Sequence, residues 1–254
     1  MKRLNPLLLL ACALIFSACS TTKKNFTAMK TGQTAQKFSV TQTRTLAADY
    51  LLFLPEGYSA DSSKRWPLIL FLHGAGERGN DVWRVATQVP PKIDTSATNF
   101  PFIVVSPQCP QGQIWSDDTL LALLADVEKK YAVDPKRIYL TGLSMGGYGT
   151  WHLGLSHPEK FAAIAPICGG GDFITPYLAE DLHKAALQSL AVWAFHGGKD
   201  PVVPPAESER MVNYLKQFGV QEVKLTIYPD ATHNSWTQTY ANPELFAWFL
   251  RHTR

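Results

Sequence analysis

Short apolar runs alternate along this chain with stretches whose apolar positions recur every three to four residues. The runs at 67–72, 102–106, 138–141, 162–167 and 191–195 are nearly continuous, as strands buried on both faces require. Residues 223–227 alternate apolar with polar side chains, as a half-exposed strand does, and 37–46 and 49–55 alternate like the two arms of a hairpin. Leu120, Leu123, Leu124, Val127 and Tyr131 form one helical stripe, and Met211, Leu215 and Phe218 form another ahead of Gly219. Asn242-Pro243-Glu244 caps a last helix that ends in Arg251, His252 and Arg254, cations suited to its C-terminal dipole. The pattern predicts an α/β fold: a mostly parallel eight-stranded sheet with helices on both faces and an antiparallel start. Residues 169–189 hold only a glycine turn and one short helical pattern (177–187), too little to make a lid domain.

The first 19 residues follow a different logic. Lys2 and Arg3, an apolar run from Leu7 to Phe16 and small residues before Cys19 read as an export signal too short to span a bilayer. Phe16-Ser17-Ala18-Cys19 resembles the lipobox of bacterial lipoproteins, which implies acylation of Cys19 and a place at the outer membrane or periplasmic face, with membrane contact only through that lipid. Residues 20–36 are polar and aperiodic and read as a tether. The remainder, 37–254, suits one domain. Losing Lys2 and Arg3 takes the formal charge from +3 to +1, which gives no basis for a nucleic-acid partner and points to a small or uncharged one.

Chemistry concentrates at four strand ends. Residues 138–151 run from a β-branched and aromatic strand through Gly142-Leu143-Ser144-Met145-Gly146 into helical spacing at Tyr148, Trp151, His152 and Leu155, stopped by Pro158. This strand, turn and helix form a nucleophile elbow around Ser144, whose hydroxyl needs a base, an orienting acid and oxyanion donors from elsewhere. Candidates follow three other strands: His73-Gly74-Ala75-Gly76-Glu77, His196-Gly197-Gly198-Lys199-Asp200 and Asp230-Ala231-Thr232-His233. Asp230, close to His233 in sequence, rivals Asp200 as the acid. His73 and His196 read as loop supports, whereas His152 and His157 show no metal-ligand spacing and read as structural or solvated. Asp117 reads as a capping residue.

Taken in order, His-Gly-Ala-Gly-Glu-Arg-Gly, Gly-Leu-Ser-Met-Gly-Gly-Tyr-Gly-Thr-Trp, His-Gly-Gly-Lys-Asp-Pro-Val-Val-Pro and Ala-Thr-His make the chain resemble an α/β-hydrolase of the bacterial carboxylesterase and predicted-peptidase type, with feruloyl-esterase and polyhydroxybutyrate-depolymerase relatives. The resemblance implies Ser144 as nucleophile, His233 as base, Asp200 as acid, and the N–H groups of Ala75 and Met145 as the oxyanion hole. Trp236, Trp115 and Glu77 are the expected substrate contacts. A small-molecule or polysaccharide-linked ester is the implied substrate, with a serine peptidase or an inactive binding lipoprotein as the alternatives. Neither a cofactor nor a metal is expected. Gly74 to Gly79 formally fits a dinucleotide fingerprint with Asp94 beyond it, but no apolar strand leads into Asp94, and Pro90 and Pro91 break the segment. Cys109 and Cys168 both follow strands, and the sequence leaves open whether they pair.

Overall fold

The computed structural model describes residues 33–59, 63–88, 100–178 and 181–254. The expected signal, Cys19, most of the tether and Asp94 lie outside the described residues. By its internal contacts the chain divides into Met1–Arg44 and Thr45–Arg254. In the first unit, residues 33–44 are exposed and without regular secondary structure.

The second unit is built on a seven-stranded sheet in the order β1-β3-β2-β4-β5-β6-β7. Its strands are β1 (Tyr50–Phe53), β2 (Trp66–Leu72), β3 (Ile103–Pro107), β4 (Val133–Leu143), β5 (Ala163–Ile167), β6 (Ala191–Gly197) and β7 (Val223–Tyr228). All pairings are parallel except β1 with β3. The expected eighth strand, 37–46, is not formed among the described residues. Phe38 and Val40, its apolar positions, are 89% and 64% exposed, so the segment buries too little surface to offset the cost of ordering it. The antiparallel start survives, but with β3 as partner in place of a hairpin arm.

Adjacent residues of one strand feed two cores. Leu68, Leu70 and Leu72 point to the face covered by α1 (Asp117–Lys130), α2 (Met145–Ser156) and α5 (Ala206–Phe218). Ile69 and Phe71 point to the face covered by α6 (Trp236–Ala241) and α7 (Pro243–Leu250). Every residue of β2 is buried, which is why its sequence reads as a continuous apolar run. Between β5 and β6 the chain forms two short helices, α3 (Ile174–Tyr177) and α4 (Asp181–Ser189), where periodicity indicated one. β4 begins five residues before its apolar run. Asp134 accepts from the Lys136 N–H and from Arg137 Nε, and the pairing with β2 shifts register between Trp66 and Leu68, a bulge that accommodates Pro135. The Asn242 cap of α7 forms as expected, its side chain accepting from the Glu244 N–H. Cys109 and Cys168 are both buried free thiols.

Candidate active site

β4 is the middle strand of the sheet, and Ser144 sits on the turn from its end into α2 at φ 53, ψ −116. A β-carbon-bearing residue rarely adopts that conformation, so the surrounding structure must hold it. The Ser144 N–H donates to the Ile167 carbonyl at 3.0 Å, tying the turn to the end of β5. A side chain at position 146 would fall on the Leu72 carbonyl, so only glycine lets α2 pass this close to β2.

His233, in the loop after β7, reaches this turn. Its Nε2 lies 2.9 Å from Ser144 Oγ and its Nδ1 lies 2.7 Å from Asp200 Oδ2. Asp200 follows β6 with its side chain fully buried. Burial raises its pKa, but hydrogen bonds from His233 and from the Val203 and Val202 N–H groups outweigh that and hold the carboxyl below the usual range, hence ionised. Asp230 points elsewhere: it is 91% exposed and pairs with Lys199 at 2.6 Å.

The loop after β2 approaches from the other side. A β-carbon on Gly74 would stand 3.6 Å from that of Ser144, so the Ala75 N–H begins its 3₁₀ turn beside the nucleophile. Met145, first residue of α2, has no acceptor for its N–H within the helix. His73, fully buried, fixes the loop. Its Nδ1 donates to the Gly74 carbonyl at 2.5 Å and its Nε2 accepts from the Cys109 N–H at 2.9 Å. Burial pushes the His73 pKa down to about 4.

Beside Met145 lies an open cavity of about 550 Å³ walled by Ile114, Trp115, Tyr148 and Gly149, with Asp117 and His152 also on its lining. Of the three expected substrate contacts, Trp115 lies in this wall, stacked edge-on against His73 at 4.8 Å. Trp236 sits apart from it, edge-on to His233 at 5.4 Å and donating to Gln88 Oε1 at 2.8 Å. Glu77 lies 3.9 Å from His73 Nδ1, outside the cavity lining. Reading the sequence alone missed Ile114, Tyr148, Gly149, Asp117 and His152 as pocket residues; the repeat of 145, 148, 149 and 152 on one helix face was the available signal.

It also missed a second contact to Asp200. His196, buried at the end of β6, has its Nε2 3.3 Å from Asp200 Oδ2, and its other partners are Ser208 Oγ and the Val203 carbonyl. Among the described residues one set could in principle ligate a metal: Cys168, Asp200 and His233, whose donor atoms all lie within 4.8 Å of one another. Burial pushes the Cys168 thiol up to about 12, so it stays protonated, while Asp200 and His233 already satisfy each other.

Residues 100–246 match the family described as Phospholipase/Carboxylesterase. The chain belongs to this α/β-hydrolase family. The chain is 29% identical over 178 residues to the bifunctional acetylxylan esterase/xylanase XynS20E of Neocallimastix patriciarum, covering 67% of this chain and 24% of that protein. It is 30% identical over 175 residues to the probable feruloyl esterase C of Aspergillus terreus, covering 66% of this chain and 61% of that one. The chain thus spans less than two thirds of either relative. Among solved structures, a thermostable esterase shares the fold at a TM-score of 0.68 with 35% identity, over 81% of this chain and 59% of that one. A ferulic acid esterase shares the fold at 0.63 with 22% identity, over 80% and 91%.

Proposed function

We propose that this chain is a serine carboxylic-ester hydrolase acting on short-chain, acetyl or feruloyl-type esters, free or attached to a polysaccharide. The observation that carries the reading is the continuous hydrogen-bonded line from Ser144 Oγ through His233 to an ionised, buried Asp200. The two curated relatives, named for acetylxylan and feruloyl esters, support the substrate class.

In the first half-reaction Ser144 Oγ attacks the ester carbonyl carbon as its proton passes to His233 Nε2. Asp200 holds Nδ1–H and stabilises the imidazolium. The tetrahedral oxyanion turns toward the Ala75 and Met145 N–H groups, each such donor being worth roughly 3 kcal/mol in the transition state. His233 returns the proton to the departing alkoxide, leaving an acyl-Ser144 ester. Water then attacks that ester by the same route and frees the acid.

A fluorophosphonate should inactivate the protein by labelling Ser144, and Ser144→Ala should lower turnover of aryl acetates on the order of 10⁶-fold. Labelling at another residue, or activity that survives the substitution, overturns the proposal. A peptide panel in the same assay separates ester from amide cleavage, which uses the same groups.

We also propose a lipid anchor at Cys19, supported by the sequence of residues 16–19. No helix among the described residues is long and apolar enough to cross a membrane. Cys19→Ser should therefore move the protein from the membrane to the soluble fraction of an expressing bacterial cell. A wild-type protein already soluble, with its N-terminus at Ser20 or beyond, rejects the anchor.

A further inference from the structure

The cavity beside Met145 has two unlike ends. Met145, Tyr148, Gly149 and His152 share one face of α2, and at 1.5 Å per residue they extend about 10 Å away from the nucleophile. Near Ser144 the walls are apolar. Trp115 packs so closely on α2 that a β-carbon at Gly149 would stand 2.8 Å from its indole. At the far end the lining turns polar: Asp117 Oδ2 lies 3.3 Å from His152 Nε2 and 3.4 Å from His157 Nε2. The His152 side chain is 57% exposed, so this end is open to an incoming group.

On the esterase reading, the three substituents of the reacting carbon can be assigned. The alkoxide must leave beside His233 Nε2, and the oxyanion must face the Ala75 and Met145 N–H groups. The acyl chain is left with the cavity.

We propose that this cavity is an acyl pocket for an arylpropenoyl group whose para-hydroxyl reaches Asp117 and His152, giving selectivity for 4-hydroxycinnamoyl esters over their unsubstituted counterparts. The inference rests on the esterase reading and adds to it a substrate arm and the residues that recognise it. A conjugated ring and double bond fill an apolar slot between Trp115 and Tyr148 with little rotational freedom to lose. The phenol then donates to the Asp117 carboxylate and accepts from an imidazole N–H, two roles that an alkyl chain cannot fill. A volume of about 550 Å³ is far more than an acetyl group requires.

The test is the ratio of kcat/KM for methyl 4-hydroxycinnamate to that for methyl cinnamate, measured in the wild type, His152→Phe and Asp117→Asn. Taking the ratio within each protein cancels any general loss of folding or chemistry. The wild-type ratio should be about 10, as a hydrogen-bonded hydroxyl warrants, and should fall toward 1 in both variants. A wild-type ratio near 1, or a ratio unchanged by the substitutions, overturns the inference while aryl acetate hydrolysis leaves the esterase reading standing. If the wild type hydrolyses aryl acetates but neither cinnamate, this inference alone falls; if it hydrolyses none of the three, the esterase reading falls with it.

Discussion

The same dipeptide stands at the ends of two strands on either side of β4, His73-Gly74 just after β2 and His196-Gly197 as the last residues of β6, and the two turns do different work. The hydrogen bonds of His73 go to backbone groups, with the Glu77 carboxylate farther off at 3.9 Å, and what it holds is the loop that carries Ala75. His196 touches the buried carboxylate itself, and the turn it belongs to carries a charge. The glycines differ in the same way. A β-carbon on Gly74 would stand 2.9 Å from the tip of the Leu143 side chain, which can swing aside. On Gly197 it would fall on the Thr232 carbonyl, in the loop that delivers His233, where nothing can yield without moving the base. Identical local sequence thus specifies an adjustable support on one side and a fixed one on the other.

The largest effect should come from the charged side. Asp200→Asn removes the acceptor that fixes the His233 tautomer and should cost on the order of 10⁴ in kcat with folding retained. Asp230→Asn, which breaks only an exposed pair, should leave kcat within about twofold. If the two variants exchange these outcomes, the acid is misassigned.

Next come the glycines. Gly197→Ala should lower stability by about 3 kcal/mol and lower turnover as His233 is displaced, whereas Gly74→Ala should cost about 1 kcal/mol. Denaturant titration of both variants decides it, and equal losses would erase the distinction between the turns.

His73 should show itself only through pH. Its folded pKa, near 4, lies below its unfolded value of 6.5 because burial disfavours the cation. As pH falls from 6.5 the unfolded chain therefore takes up the proton first, and stability that is complete above pH 6.5 is lost toward pH 4. This group alone should contribute a loss of about 1.5 kcal/mol between pH 6.5 and pH 5. In His73→Gln the loss measured over that range should shrink by this amount. An unchanged slope would mean that the imidazole is not held neutral.

The elements that set their own burial were legible in the sequence. Strands β2 to β6 show as apolar runs, α1 and α5 as stripes, and the elbow as two glycines around a serine, because each states its environment within a dozen residues. The opposite holds for 37–46, where alternation is present but supplies only Phe38, Val40 and Leu46 to a sheet edge, too few to decide pairing. Ser144, Asp200 and His233 stood out in the sequence because each follows a strand. The contact from His196 to Asp200 depends on how tightly the turn after β6 reverses, and the bond from Trp236 to Gln88 joins residues 148 apart in sequence. Nothing local signals either one. Ile114, Tyr148 and His152 escaped for another reason: the wall of a cavity looks like ordinary surface until the neighbouring element is in place.

The close passage of α2 over the sheet bears on how such a protein changes over generations. Gly146 meets the Leu72 carbonyl, and position 147 meets that of Ile167, so the helix has no slack where it carries the nucleophile. Ile114 is 75% exposed and Tyr148 42%, so drift at the pocket mouth disturbs no core. A library confined to 114, 148 and 152 should therefore yield many folded enzymes with altered preferences, while one that includes 146 and 147 should be depleted at those two sites before any selection for activity begins.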